Sequence, residues 1–364
     1  MKIKLSLPKT IDWMLYLVPI LLVAAGLAVI YSLTYYNGKI SLFYNQLLSL
    51  CLGLGLMIFF TLWDYRNLKG LSFWLYLLGV ISLVVVLFFG KKVFGATRWI
   101  DLGFTQIQPS EIMKVFLVIF SASYMSERIG NIKFRHIIFL GIMTLIPVIL
   151  VLKQPDLGTV SVLLVGVIIV VLASKLSKAQ IFALVGILLL TLPIVWFSLK
   201  DYQKTRVFTF LNPEADSYGS GYNVYQSTIT IGSGGLLGRG LGHGPQSQLN
   251  FLPVAHTDFI FAGVAEASGF VGSMILILLY FVLIIRIVGV AKISKDNFGT
   301  LLAIGFAGIL MFQMTVNIAM NLGLAPVTGI PLPFVSHGGT ALIINFMTLG
   351  ILQSIYLRHK KITF

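Results

Sequence analysis

Two acidic residues stand in or beside one of the long apolar stretches of this chain. Asp258 follows His256 and Thr257 and directly precedes the stretch, which also contains Glu266. Glu266 comes eight residues later, about 12 Å further along the same predicted helix. An ionisable group in or at the edge of a membrane span is costly and usually functional. Asp258 is therefore the first candidate for chemistry, and Glu266 is either a second functional carboxylate or a buried structural partner.

Polar residues near Asp258 and near the last apolar stretch could support it. His256 titrates near neutral pH and could orient the carboxylate by hydrogen bonding, or it could be a structural histidine. His337 has the same two interpretations, and Thr257 and Ser336 are the polar neighbours of these histidines. We therefore take all four as candidates for supporting the site.

Four further charged residues lie in short segments that look too specific to be simple connectors. Glu111 and Lys114 follow Pro109, which suits a first helical turn, so they form an opposite-charge pair on one helix face. They either neutralise each other or serve a site. Arg98 is either an interface anchor or a fixed cation for a phosphate. Asp156 either caps the helix that follows it or supplies a second carboxylate to the site.

The composition shows what kind of protein must position these groups. The chain has 364 residues, of which 57% are hydrophobic and 10% charged, and its mean hydropathy is +0.95. These values predict an all-α polytopic membrane protein, because a span needs about 20 apolar helical residues. Barrel strands would need only about ten alternating residues each. We predict about ten transmembrane helices, near residues 11–33, 43–63, 72–90, 109–125, 137–152, 159–174, 180–199, 258–288, 299–321 and 337–357.

The basic residues predict the orientation of these helices. With the N-terminus inside, sixteen of the 26 Lys and Arg residues fall on the cytoplasmic side, beginning with Lys2, Lys4 and Lys9. Both termini are then cytoplasmic, and Asp258 lies on the outer face after seven crossings. We interpret residues 1–364 as a single membrane domain whose first helix is retained as an anchor.

The predicted domain contains one long extracellular segment, residues 200–257, between helices seven and eight. Its second half mixes apolar residues with closely spaced glycines, which predicts a folded segment packed at the membrane interface. The eighth stretch, which follows it, is long enough to tilt or break.

Several other functions are disfavoured. The net charge of +14 is scattered over short loops, which indicates contact with anionic lipid rather than nucleic acid. Cys51 is the only cysteine, and we predict it to be a small core residue. The chain has no HExxH, CxxC or P-loop pattern, so ATP hydrolysis and a built-in zinc site are not expected.

The motifs that hold the candidate residues resemble those of the SEDS family (shape, elongation, division and sporulation). Together with the ten-helix layout, the matching stretches cover essentially the whole chain. These stretches are Gly95 to Lys114, Gln154 to Thr159, Tyr225 to Gly244, His256 to Gly269 and Pro326 to Gly339.

The resemblance implies a peptidoglycan glycosyltransferase of the bacterial cytoplasmic membrane, with its active site on the outer face. Such an enzyme polymerises lipid II into glycan strands during cell-wall elongation. Its partners are a class B penicillin-binding protein and other elongation-complex membrane proteins. In the family the aspartate of the His-Thr-Asp-Phe motif, here Asp258, is essential for polymerisation, and Arg98, Glu111 and Lys114 line the same cavity.

The expected chemistry needs one base and positive charge near a leaving pyrophosphate. We predict Asp258 as the base, with Arg98 and Lys114 facing the pyrophosphate. A divalent cation, Mg²⁺ or Mn²⁺, is a further candidate for that role, and no organic cofactor is implied. The alternative is a flippase that transports lipid II, because the Glu111–Lys114 pair would also suit a translocation path. The chain shows no internal repeat of the kind many transporters have.

Overall fold

The protein is nearly all-helical in its computed structural model. Thirteen helices are present in the described part of the chain, in the order α1 (Met14–Tyr35), α2 (Ser41–Leu62), α3 (Arg66–Phe89), α4 (Pro109–Ser126), α5 (Phe134–Lys153), α6 (Leu157–Ala173), α7 (Lys178–Ser198), α8 (Asp201–Leu211), α9 (Ser220–Ser233), α10 (Pro245–Gln248), α11 (Ile260–Ile293), α12 (Asn297–Asn321) and α13 (Gly339–Leu357). The structure describes residues 11–35, 38, 40–93, 96–101, 106–198, 201–211, 220–249, 251–252 and 255–359. The predicted inner residues Lys2, Lys4 and Lys9 lie outside these ranges.

A helix occupies each of the ten predicted positions, namely α1 to α7 and α11 to α13. Seven of the described helices are long and apolar enough to cross a membrane: α1, α2, α3, α5, α11, α12 and α13. Of the other three, α6 has only 17 residues, and α4 carries the charged residues Glu111 and Lys114. The protein is therefore a multi-pass membrane protein, and the total of ten spans stays a prediction.

The helices differ in how much of their surface is covered. α4 is buried along almost its whole length against α3, α6 and α12. By contrast, α2 and α3 expose large apolar side chains such as Phe59 and Trp74, a pattern that suits contact with lipid. Cys51 on α2 is also exposed. Its prediction as a core residue is wrong, because its side of α2 is not covered by any of the described helices.

A small antiparallel sheet departs from the all-α prediction. Its strands β1 (Lys91–Val93), β2 (Ala96–Asp101) and β3 (Gln106–Ile107) pair in chain order between α3 and α4. Antiparallel pairing satisfies backbone groups where the chain leaves one helix and reverses into the next. The sheet also places Arg98 on its central strand.

The helix α11 is broken at Gly269, where φ is +66° and ψ is −164°. This backbone conformation is essentially restricted to glycine. The sequence predicted that this stretch would tilt or break because of its length, and the break confirms the prediction. α11 therefore consists of two helical parts joined at one residue.

The glycine-rich segment of residues 234–240 fills this break. Two of its N–H groups donate to the carbonyl oxygens of Glu266 and Ala267, at 2.9 and 3.0 Å. In return, the N–H groups of Phe270 and Val271 donate to carbonyl oxygens of the segment, at 2.9 and 3.1 Å. The groups freed by the break are thus paired, as an apolar environment requires. Residues 220–249 are folded, as the sequence predicted, and the position of this segment on the outer face stays a prediction.

We expect Gly269→Ala to destabilise the protein by about 1–3 kcal/mol, because alanine cannot adopt this conformation without strain. The added Cβ would also lie 2.3 Å from the backbone nitrogen of Gly238. Gly289→Ala is the matched control, since it lies on the same helix and its Cβ would meet no atom within 4 Å. Alanine favours helix there, so the control should be neutral or slightly stabilising. Thermal unfolding of the purified proteins in detergent measures the difference, and equal Tm values would contradict the account.

Candidate active site

Asp258 lies in the turn of residues 255–259 that precedes α11, and its side chain is partly exposed. Phe259 holds the N-cap position and no side chain caps this helix, so Asp258 is not a helix cap. Burial of the carboxyl group raises the pKa of Asp258 from 3.8 to about 6. At neutral pH the group is ionised but more basic than an ordinary aspartate.

Three charged residues from other elements act on this carboxylate. Arg206 of α8 and Arg98 of β2 lower the pKa of Asp258, whereas Asp156 raises it. We call the four residues Arg98, Asp156, Arg206 and Asp258 the charged cluster. Two guanidinium groups and two carboxylates thus interact electrostatically near the start of α11, and the sequence analysis had named three of the four.

Arg98 is fixed to the start of α6. Its Nη1 lies 3.6 Å from Oδ2 of Asp156, its Nε donates to the carbonyl of Gln154 at 3.0 Å, and its Nη2 donates to the carbonyl of Pro155. Asp156 accepts from the N–H of Thr159 at 3.1 Å, which confirms the predicted helix cap. The Arg98 guanidinium is therefore held in one place by the backbone of a neighbouring segment.

The sequence analysis did not single out Arg206. Its Nη1 donates to the carbonyl of Val327 at 3.2 Å, which connects α8 with the loop of residues 326–333. Nothing in the sequence distinguishes Arg206 from the other basic residues of the long outer segment. Its place in the cluster follows only from the packing of that segment.

The loop of residues 326–333 borders the cluster. A Cβ on Gly329 would lie 3.7 Å from Oδ2 of Asp258, and φ at this glycine is +73°. On its other side the loop packs against the start of α6, where a Cβ on Gly158 would lie 2.6 Å from the carbonyl oxygen of Thr328. Glycine therefore allows the close approach that seats this loop beside the carboxylate.

The two histidines lie together, next to the Asp258 turn. Their ring centroids are 5.8 Å apart, and the N–H of His337 donates to the carbonyl of His256 at 2.9 Å. Burial, followed by the neighbouring His256, lowers the pKa of His337 to about 4, so this ring is neutral. Ser336 Oγ donates to the carbonyl of Thr257 at 2.6 Å. These contacts hold the turn to the segment before α13, and a contact with substrate stays a prediction for all four residues.

Glu111 and Lys114 form a buried ion pair of 2.5 Å on α4, as their spacing predicted. A small cavity lies beside Lys114, between α4, α11, α12 and α13. The described residues that line this cavity include Gln313 and Asn345 but no member of the charged cluster. The prediction that this pair shares a cavity with Asp258 stays a prediction.

Glu266 is held in different surroundings. Its carboxylate accepts from the backbone N–H groups of Gln246 and Ser247, at 2.9 and 3.0 Å, and from the hydroxyl of Ser247. The carboxylate thereby pairs the N–H groups at the start of α10 and holds this part of the 200–257 segment against α11. This geometry matches the structural interpretation of Glu266 given above.

The charged cluster does not form a metal site by itself. Among the described residues, no group of three or more His, Cys, Asp or Glu side chains is placed to hold an ion. The carboxylate of Asp156 is already engaged by Thr159 and Arg98. The positive charge that the fold supplies beside Asp258 comes from the two arginines.

Several uncharged residues that secure this region were also missed. Gln46 of α2 donates to the carbonyl of Ser336 at 3.1 Å and accepts from the N–H of Gly338 at 3.1 Å. Asn317 and Asn321 of α12 both donate to the carbonyl of Asp258. A sequence signal was present, because all three are polar residues inside apolar helical stretches.

Comparison with known proteins gives relatives that span most of the chain. Peptidoglycan glycosyltransferase MrdB of Escherichia coli (strain K12) is 41% identical over 315 residues, covering 86% of this chain and 85% of its own. Probable peptidoglycan glycosyltransferase FtsW of Geobacter sulfurreducens (strain DL-1 / KN400) is 36% identical over 316 residues, covering 85% and 83%.

Solved structures share the fold as well. A chain of a peptidoglycan synthase complex, from a study of how polymerisation and crosslinking are coordinated, superposes with a TM-score of 0.83 at 33% identity, covering 96% of this chain and 99% of its own. The Rod shape determining protein RodA of Thermus thermophilus superposes with a TM-score of 0.72 at 31% identity, covering 97% and 99%. A family model described as a cell cycle protein and named for FtsW, RodA and SpoVE matches residues 10–361. The chain therefore belongs to the FtsW/RodA/SpoVE family, the SEDS family that its motifs resemble.

Proposed function

We propose that this peptidoglycan glycosyltransferase polymerises lipid II into glycan strands at the charged cluster, with Asp258 as the catalytic base. Relatives at 36–41% identity carry the name of this enzyme class. The single observation that supports the assignment of the base is the pKa of Asp258, raised to about 6 beside two fixed guanidinium groups. A base is most effective when its pKa lies near the working pH.

The reaction is a single displacement. The carboxylate of Asp258 takes the proton of the acceptor's 4-hydroxyl while that oxygen attacks the anomeric carbon of the donor. The bond from that carbon to the pyrophosphate oxygen breaks, and the polyprenyl pyrophosphate leaves with the electron pair. Because the donor is alpha-linked, one displacement yields a beta link. Arg98 and Arg206 stabilise the charge that develops on the pyrophosphate.

The buried pair on α4 has a supporting part in this proposal. Lys114 would add positive charge toward the pyrophosphate, as the family resemblance implies, while Glu111 holds its ammonium group in place. Glu111 and Lys114 lie near the start of α4, which follows β3 in the chain. They therefore come soon after β2, the strand that carries Arg98.

A divalent cation is proposed only as a companion of the substrate. Among the described residues no group of three or more potential ligands is placed to hold a resident metal, whereas Mg²⁺ commonly binds through phosphate oxygens with one or two carboxylates. Asp258 is the carboxylate that would hold it together with the substrate, and the ion would neutralise charge on the pyrophosphate. No step above is assigned to this ion.

The orientation of α11 supports an active site on the outer face of the bacterial cytoplasmic membrane. Asp258 precedes α11, whereas Arg286 and Lys292 lie near its other end. Basic residues favour the cytoplasmic side, so both termini would be cytoplasmic. The polyprenyl tail of lipid II would then remain in the bilayer while its head group reaches Asp258.

A class B penicillin-binding protein is the proposed partner, and other elongation-complex membrane proteins would join it. One solved relative comes from a peptidoglycan synthase complex that coordinates polymerisation with crosslinking. Such coupling is chemically reasonable, because a new glycan strand must be crosslinked close to where it is made. The RodA structure supports a role in elongation rather than division.

We expect Asp258→Asn to lower the rate of lipid II polymerisation by about 10²- to 10⁴-fold, because the amide keeps the shape but cannot take the proton. Asp101→Asn is the matched control, since Asp101 is a carboxylate of β2 that forms an ion pair with Lys91. Purified proteins reconstituted with the partner transpeptidase and lipid II would be compared by the amount of glycan formed.

The same liposomes can test the flippase alternative, provided lipid II translocation is scored separately from polymerisation. Glycan synthesis by a folded Asp258→Asn protein at the parental rate would remove Asp258 from the mechanism. Translocation without any polymerisation by the parent protein would favour transport instead.

A second prediction concerns pH. Since the carboxylate must be ionised to act, kcat/KM for lipid II should fall as the pH drops through about 6, the pKa of Asp258. Arg206 lowers this pKa, so Arg206→Ala should move the acid limb of the profile to higher pH. Arg206→Lys retains the charge and should leave the limb close to its parental position. If the acid limb of Arg206→Ala lies at the same pH as that of the parent protein, the limb does not report the ionisation of Asp258 in the charged cluster.

A further inference from the structure

Two buried asparagines of α12 converge on the backbone of Asp258. Asn317 and Asn321 are four residues apart and therefore share one face of the helix, and both have an exposed fraction of 0%. The Nδ2 atom of each donates to the carbonyl oxygen of Asp258 at 3.0 Å. Two amides from a neighbouring helix thus bind the main chain of the proposed base.

Asn321 replaces a hydrogen bond that an uninterrupted helix would make. In such a helix the N–H of Ala262 would donate to the carbonyl of Asp258, four residues earlier. Here the N–H of Ala262 donates to the carbonyl of Phe259 at 3.1 Å and to Oδ1 of Asn321 at 3.2 Å, while Nδ2 of Asn321 donates to the Asp258 carbonyl. The amide of Asn321 thereby gives the Asp258 carbonyl a partner at the point where the chain enters α11.

Asn317 connects the same carbonyl with the loop that borders the cluster. Its Nδ2 also donates to the carbonyl of Ile330 at 2.8 Å, one residue after Gly329. Both donors of this amide are therefore used, one on the Asp258 turn and one on the loop of residues 326–333. This one amide therefore joins the Asp258 turn directly to that loop.

From these contacts we propose that Asn317 and Asn321 are positioning residues for polymerisation, which hold Asp258 out of α11 and toward the charged cluster. This inference rests on the function proposed for Asp258. Neither asparagine touches the reacting atoms, because each acts through the main chain of the base. Their amides are buried, so losing them would leave carbonyl groups unpaired and allow the turn to close into the helix.

The test compares Asn317→Leu and Asn321→Leu with Gln353→Leu, a matched change of a buried amide to leucine. The Gln353 side chain is buried in α13, and neither of its polar atoms has a hydrogen-bond partner among the described residues. We expect each asparagine variant to lower kcat for lipid II polymerisation by roughly 10- to 100-fold while changing KM by less than about threefold, because a small displacement of a catalytic group has effects of this size. The Gln353→Leu protein should retain kcat within about twofold.

The pH profile separates positioning from a general loss of folded protein. Burial is the largest cause of the raised pKa of Asp258, and Arg206 and Arg98 oppose it, so a turn released from the asparagines changes this balance and should shift the acid limb of kcat/KM. Loss of folded enzyme would reduce the whole profile without moving its limb. If a leucine variant does not fold, Asn317→Ala, which adds no bulk, is measured in the same way.

The experiment distinguishes failure of the positioning role from failure of the proposed function. If the parent protein and the Gln353→Leu control polymerise lipid II and a folded asparagine variant does so with parental kcat and an unmoved acid limb, the positioning role is overturned while Asp258 keeps its assignment. If the parent protein itself forms no glycan with its partner present, the proposed function fails. A reduced kcat with a shifted limb in the asparagine variants alone supports the inference.

Discussion

The balance of charge around Asp258 is the interaction on which the proposed site depends. Removing ions from water costs several kcal/mol for each one, as a rough magnitude, and opposite charges offset part of this cost. Arg98 and Arg206 favour the ionised carboxylate, whereas burial and Asp156 oppose it, and burial has the largest effect. The balance leaves a carboxylate whose pKa is close to 6. A third cation would lower this pKa and make the carboxylate a weaker base, whereas fewer cations would raise the pKa.

The two carboxylates associated with α11 show that environment, rather than residue type, decides the role. Glu266 accepts hydrogen bonds from two backbone N–H groups and a hydroxyl. These bonds engage its carboxylate and hold the start of α10. Asp258 has no helix to cap and faces cations that are themselves fixed by backbone carbonyls. The first arrangement favours a structural role and the second leaves a carboxylate available to a substrate.

Much of this arrangement could be predicted from the sequence, where the signal is local. The Asp156 cap and the Glu111–Lys114 pair depend on residues three positions apart. Each of the ten apolar stretches is by itself long and apolar enough to indicate a helix. Arg206 could not be predicted, because it meets Asp258 only through the packing of a long outer segment. The sheet that carries Arg98 was missed because the two strands that flank β2 have only three and two residues.

The irregular backbone of α11 explains why distant elements must cooperate to build this site. The helix begins only after the Asp258 turn and is broken at Gly269, and unpaired backbone groups are not tolerated in an apolar environment. Asn321 pairs the Asp258 carbonyl before the first turn of the helix, and the glycine-rich segment of residues 234–240 pairs the groups at the break. A regular helix that extended back to Asp258 would need neither set of partners, but it would keep the Asp258 main chain within its own hydrogen bonds. The irregular backbone, with its free groups paired by α12 and by residues 234–240, instead leaves the Asp258 carboxylate outside the helix, where Arg98 and Arg206 act on it.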